Sequence, residues 1–99
     1  MDFKAYLKQQ ELSKTTAEMY HYQTMNFISF LDKDNTEVEN CTEKEIMLYL
    51  GYLQKQGIAP ETRKLRLSAL KHFFNFQIEN NQRKDNPANR IKLQGGQKQ

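Results

Sequence analysis

The chain has 99 residues, 37% hydrophobic and 27% charged, with a net charge of +3. That makes it one small domain with a modest core and excludes an elaborate catalytic cleft. Five Tyr and six Phe suffice for a helical core without metal or disulfide support, and the lone Cys41 excludes an internal disulfide and points to the reducing interior of a cell. No run approaches the roughly 18 apolar residues of a membrane span, and Asp2, Lys4 and Lys8 interrupt any signal-peptide core. A cytoplasmic protein with no cofactor, metal or membrane partner is expected.

Every periodic segment is helical and none alternates as a strand, so the predicted fold is all-α: a four-helix bundle with a short extra C-terminal helix. The first helix, Asp2 to about Gln10, carries Phe3, Tyr6 and Leu7 on one side and ends before Glu11-Leu12-Ser13. The second starts between Ser13 and Thr16, where an N-cap is available, and runs to about Lys33. Its inward stripe is Ala17, Tyr20, Thr24, Phe27, Ile28 and Leu31, and Lys14 and Thr15 stand at its exposed start. Asp32 to Asn40 is acidic and aperiodic and reads as a loop.

A third helix begins at Thr42, where Glu45 completes a capping box, and buries Ile46, Tyr49, Leu50 and Leu53. Gly57 is placed to end it in a left-handed conformation. Ile58 to Thr62 turns the chain, with Pro60 in a first helical turn that tolerates its missing amide, and a fourth helix runs to about Glu79. Its apolar surface is broad: Leu65, Ala69, Phe73 and Phe76 flank Leu67, Leu70 and Phe74. After a polar stretch from Asn80 to Asp85, Asn86-Pro87 reads as the N-cap and first turn of a brief final helix through about Ile91. The division expected is a domain over residues 1–93 and a flexible tail over residues 94–99 with Gly95 and Gly96.

On the fourth helix, at 100° per residue, Lys64, Ser68, Lys71 and Asn75 share an arc of roughly 60°, apart from the side that carries Leu67, Leu70 and Phe74. This stripe combines ammonium groups with a hydroxyl and an amide, the chemistry that a phosphate-lined groove accepts. The charge is divided along the chain in the same sense. Residues 60–99 hold nine Lys/Arg against three acids, net +6, and residues 1–59 hold six against nine, net −3. A basic half facing a polyanion is one reading, and a solvated tail is the other.

The ordered set Ser13, Thr16, Tyr20, Phe27, Leu31, Thr42, Glu45-Ile46, Tyr49-Leu50, Gly57, Thr62, Leu67-Ser68-Ala69-Leu70-Lys71, Phe73-Phe74 and Asn86-Pro87-Ala88 resembles the N-terminal core-binding domain, SAM-like in fold, of the tyrosine recombinases or phage integrases. Thr24 and Arg63 depart from it, standing where that family places apolar residues. The resemblance implies a bundle that covers one face of double-stranded DNA while a C-terminal catalytic domain covers the other. It implies contacts from the starts of the second and fourth helices: Lys14, Thr15 and Thr16 on one, and Thr62, Arg63, Lys64, Ser68, Lys71 and His72 on the other. Arg66 joins this set, although it stands nearer the apolar flank, where its stem lies on the bundle or its head bridges to an acid. The resemblance also implies contact with other recombinase protomers, for which residues 2–10 with Phe3 and Leu7 are the expected surface.

Plainer roles compete at each position. Thr16 and Thr62 serve equally as helix caps, His21 and His72 as solvated side chains, and Tyr20 as a core residue rather than a nucleophile. The chain carries no His-x-x-Arg element and no paired nucleophile and base, so it is not expected to cut DNA, and strand breakage and rejoining fall to the catalytic domain of a larger parent. Two other functions fit the residues: a helical protein–protein adaptor with a basic face, and a stand-alone DNA-binding factor.

Overall fold

A computed structural model describes residues 2–92, so the expected tail over 94–99 lies outside the described residues. Four α-helices and one short 3-10 turn form the bundle: α1 (Phe3–Gln9), α2 (Lys14–Asp32), η1 (Val38–Asn40), α3 (Glu43–Lys55) and α4 (Pro60–Glu79). Among the described residues there is no strand, so the all-α fold expected from the periodicity stands.

Each helix starts and stops for a local reason. Asp2 accepts from the Ala5 amide, Ser13 from the Thr16 amide, and Thr42 and Glu45 form the expected capping box, so three helix starts have their free N–H groups partly satisfied by side chains. The fourth has Pro60 in its first turn and no side-chain cap. All four ends are followed by a residue in the left-handed region: Glu11, Asn35, Gly57 and Asn81, with φ of 62°, 55°, 83° and 60°. Behind Gly57 the Schellman pattern is complete, Gly57 N–H donating to Gln54 O at 3.0 Å and Ile58 N–H to Leu53 O at 3.1 Å, the wrap that satisfies the last carbonyls of a helix.

α4 is the central element. α2 packs along it, and α1 and α3 cover opposite ends of the α2–α4 layer. The core runs through Leu7, Phe27, Ile46, Leu70 and Phe74, all at or below 1% exposure. Each such side chain contributes roughly 1.5–3 kcal/mol by leaving water. Ring contacts knit the helices: Phe27 meets Tyr49 at 5.0 Å and Phe74 at 6.5 Å, and Phe3 meets Phe73 at 5.2 Å and Phe76 at 5.4 Å.

Several expectations need correction. The final helix does not form: residues 87–90 are turns, held by Asn89 N–H to Asn86 O and Ile91 N–H to Ala88 O, both i to i+3. Five residues cannot repay the cost of nucleating an α-helix, and burial of Ile91 draws the chain back to the core instead. The acidic segment expected as loop contains η1. Leu65, assigned to the apolar flank, is 45% exposed. Phe3 and Leu7, assigned to a protomer contact, are buried within this chain's own core and offer no surface to a neighbour.

Candidate nucleic-acid interface

Thr24 and Arg63, the two polar residues at family-apolar positions, are both inside, at 1% and 8% exposure. Arg63 leans back along the start of α4, and its Nη1 donates to Ile58 O at 2.7 Å. Its guanidinium therefore satisfies a carbonyl of the α3–α4 turn, and Arg63 is withdrawn from the surface set. Arg66 is half-buried, with its stem on the bundle as expected, but its head finds a hydroxyl rather than an acid: Nη1 donates to Tyr49 Oη at 3.1 Å. Burial pushes the Tyr49 hydroxyl up from its ordinary pKa, against the lowering effect of Arg66 beside it. Both arginines thus spend their heads within the chain.

The remaining predicted residues lie on the starts of α2 and α4. Lys14 and Thr15 are exposed in the first turn of α2, which holds no acid, so the positive end of a 19-residue helix is left without a compensating side chain. Thr16 is not the cap. Ser13 is, accepting from the Thr16 amide at 3.1 Å and donating its own hydroxyl to Thr16 Oγ1 at 2.9 Å. Thr62 is likewise the third residue of α4 rather than its cap, which is Ala59, so its half-buried hydroxyl is not consumed by capping. Glu61 is the acid of that turn.

Along α4 the predicted stripe is present but shortened. Lys64 is exposed, and Ser68 and Lys71 are half-buried. Asn75 is occupied: Asn86 Nδ2 donates to Asn75 Oδ1 and to Lys71 O, each at 2.9 Å, so the chain's own C-terminal segment closes that end. His72 is not a freely solvated side chain. Its Nδ1 lies 2.9 Å from Ser68 O, which makes that nitrogen the N–H donor, and its ring lies 5.1 Å from that of Tyr20. His21 also has a ring neighbour, Phe3 at 6.4 Å.

The Tyr20–His72 pair fixes how the two helix starts relate. Thr16 precedes Tyr20 by one turn and Ser68 precedes His72 by one turn, a rise of about 5.4 Å in each case. Arg66 near the start of α4 meets Tyr49, which packs on Phe27 and Phe30 in the second half of α2. The two helices therefore run antiparallel, and their first turns lie on opposite sides of the ring pair, with Ser68 and Lys71 nearest to it. Lys14, Thr15, Thr62, Lys64, Ser68 and Lys71 offer ammonium groups, hydroxyls and free helix amides, group types that can each pair with an oxyanion. Sequence reasoning missed Lys4 and Lys8: on α1 they line a groove with Lys14. Their i, i+4 spacing was readable, but the fold of α1 over the start of α2 was not.

Nothing in this set is a nucleophile with a base. Burial pushes the thiol of Cys41 up to about 12, with Glu45 adding to the rise and Arg83 opposing it, and at that value it is not a reactive thiolate. Among the described residues no helix is long and apolar enough to cross a membrane.

The phage integrase N-terminal SAM-like domain family matches residues 1–81. Tyrosine recombinase XerC of Staphylococcus carnosus is 27% identical over 75 residues, covering 76% of this chain and 25% of the relative. A protein of Caldanaerobacter subterraneus subsp. tengcongensis, whose name assigns it to the tyrosine recombinases, is 25% identical over 88 residues, covering 88% of this chain and 30% of the relative. The chain thus spans between a quarter and a third of the length of these curated relatives. No solved structure matches it significantly. With four-fifths of its length inside the family match, this chain belongs to the phage integrase N-terminal SAM-like domain family.

Proposed function

We propose that this chain is the DNA-binding domain of a site-specific tyrosine recombinase, holding one face of a recombination half-site while a catalytic domain of the same protein holds the other. The observation that carries the reading is the stripe of Lys64, Ser68 and Lys71 that α4 leaves open to solvent. α2 packs antiparallel beside it through Tyr20 and His72, so that Lys14 and Thr15 add basic and hydroxyl groups beyond the Lys71 end of the stripe. The dimensions suit this role: the bundle measures 37 × 32 × 22 Å, and its broad side is close to the roughly 34 Å of one duplex turn. Lys14, Lys64 and Lys71 neutralise phosphates, and Thr15, Thr62 and Ser68 bond to phosphate oxygens or base edges. Cleavage and rejoining are assigned to the catalytic domain, since the stretch matched here is the N-terminal domain of the family. Other recombinase protomers on the same DNA are the further partners, met through surfaces other than Phe3 and Leu7.

The test is an NMR titration of the labelled chain with a short duplex at about 50 and about 200 mM salt, a range over which phosphate-driven binding changes greatly. Shifts at residues 14–16 and 62–72 that fade at the higher salt are the expected result. No shifts at either salt would overturn the reading in favour of the adaptor.

A further inference from the structure

Lys4, Lys8 and Lys14 line a narrow groove of about 130 Å³ between α1 and the start of α2, with Ala17 and Glu18 completing it. We infer that this groove is a phosphodiester site that extends the DNA face onto α1 and grips one backbone phosphate beyond those met by α2 and α4.

The three ammonium groups come from two elements. Lys4 and Lys8 stand at i and i+4, on the flank of α1 beside the buried Leu7, and Lys14 opens α2 across a connection of only four residues, 10–13. Like charges at that spacing repel and weaken a helix, and a third lysine facing them adds to the repulsion. The chain supplies little relief. Glu18 is the one carboxylate lining the groove, and among the described residues the ion pair within 4 Å is Arg83–Asp85, elsewhere in the fold. Ala17, 5% exposed, gives the groove a small floor, so an oxyanion can settle between the lysine stems. Lys14 belongs to both the groove and the first turn of α2, which makes the two surfaces continuous. A phosphate there removes the repulsion and places α1 against the strand.

This inference rests on the DNA reading, and the experiment separates the two. Duplex binding is followed by fluorescence anisotropy from about 50 to about 200 mM salt for the unaltered chain, for Lys4→Gln/Lys8→Gln and for Lys64→Gln/Lys71→Gln, with folding checked by circular dichroism. Loss of one phosphate contact in Lys4→Gln/Lys8→Gln flattens the slope of log K against log salt by about 0.9, which is about eightfold weaker binding at 0.1 M. Lys4→Arg/Lys8→Arg restores the slope, and the amides of residues 4–8 shift when duplex is added to the unaltered chain. Lys8→Gln alone, at an exposed position on the groove, flattens the slope in the same direction and serves if the double variant fails to fold. An unchanged slope in Lys4→Gln/Lys8→Gln beside a flattened one in Lys64→Gln/Lys71→Gln overturns the groove and leaves the α2–α4 face standing. Absence of duplex binding by the unaltered chain at low salt overturns both. Capture of phosphatidylserine vesicles through Lys4 and Lys8, with duplex leaving residues 4–8 unmoved, also overturns it.

Discussion

Arg63 and Lys64 are neighbours in sequence with opposite duties, and a pair of substitutions exposes the difference. The Arg63 guanidinium holds Ile58 O at 2.7 Å from a buried position, so Arg63→Met keeps the stem and strands a carbonyl. Loss of a charged hydrogen bond of this kind costs about 1.5–3 kcal/mol, and a domain of this size loses about 4–8 °C of Tm per kcal/mol. The expected outcome by thermal unfolding is a drop of at least about 6 °C, with duplex affinity unchanged while the chain is folded. Lys64→Ala should do the reverse, leaving Tm alone and flattening the salt slope by about one unit. Cys41 gives a second test at this scale. Its buried thiol, pushed up to about 12, should react with a thiol reagent at pH 8 far more slowly in the native chain than in urea, and equal rates would place it outside the core. The unfolded chain deprotonates this thiol near its ordinary value of about 8.5. The stabilisation from keeping it protonated is therefore whole below that pH and is lost as pH rises towards 12.

At the scale of the element, α3 is specified most locally. Glu45 Oε1 accepts from the Thr42 amide at 2.8 Å and from the Thr42 hydroxyl at 2.6 Å, and these bonds hold the Glu45 carboxyl below its ordinary pKa, the side-chain bond contributing most. A lowered carboxyl stabilises the fold above the unfolded value of about 4.3 and loses that contribution as pH falls through the folded value. Thr42→Ala should cost about 1 kcal/mol in urea unfolding at pH 7, and the deficit should shrink as pH falls through the lowered folded value and Glu45 becomes protonated in both proteins. A deficit that does not change with pH would mean the box contributes through Thr42 alone. This cap, the Gly57 stop and the α4 stripe were all legible in the sequence, because each depends on residues within a turn or two of one another. The burial of Arg63 was not, since it depends on a carbonyl that the α3–α4 turn presents, and neither was the meeting of Lys4 and Lys8 with Lys14. The final helix was misread for the same reason: Asn86-Pro87 carries the local signature of a helix start, but Ile91 has a tertiary destination.

For the whole molecule, the question is how the segment that follows α4 is tied to the DNA face. Arg83 begins the attachment, with its guanidinium 5.0 Å over the Phe74 ring and Nη1 donating to Val38 O at 3.1 Å. Asn86 completes it. Its Nδ2 bridges Lys71 O and Asn75 Oδ1, and its Oδ1 accepts from the Ala88 amide at 3.0 Å; Pro87, Ala88 and Ile91 are then buried. The C-terminal segment is therefore seated beside Lys71, and the free part of the α4 stripe ends there. Asn86→Ala removes all three bonds at once and leaves the helices their own hydrogen bonds, so the expected effect is local. Hydrogen exchange should show the amides of Ala88, Asn89 and Ile91 losing protection while those of α2 and α3 keep theirs. The salt slope of duplex binding should not change, because no charge has been removed. If protection falls together across all four helices, the segment is a cooperative part of the core, and its seat beside Lys71 is set by global folding rather than by one asparagine.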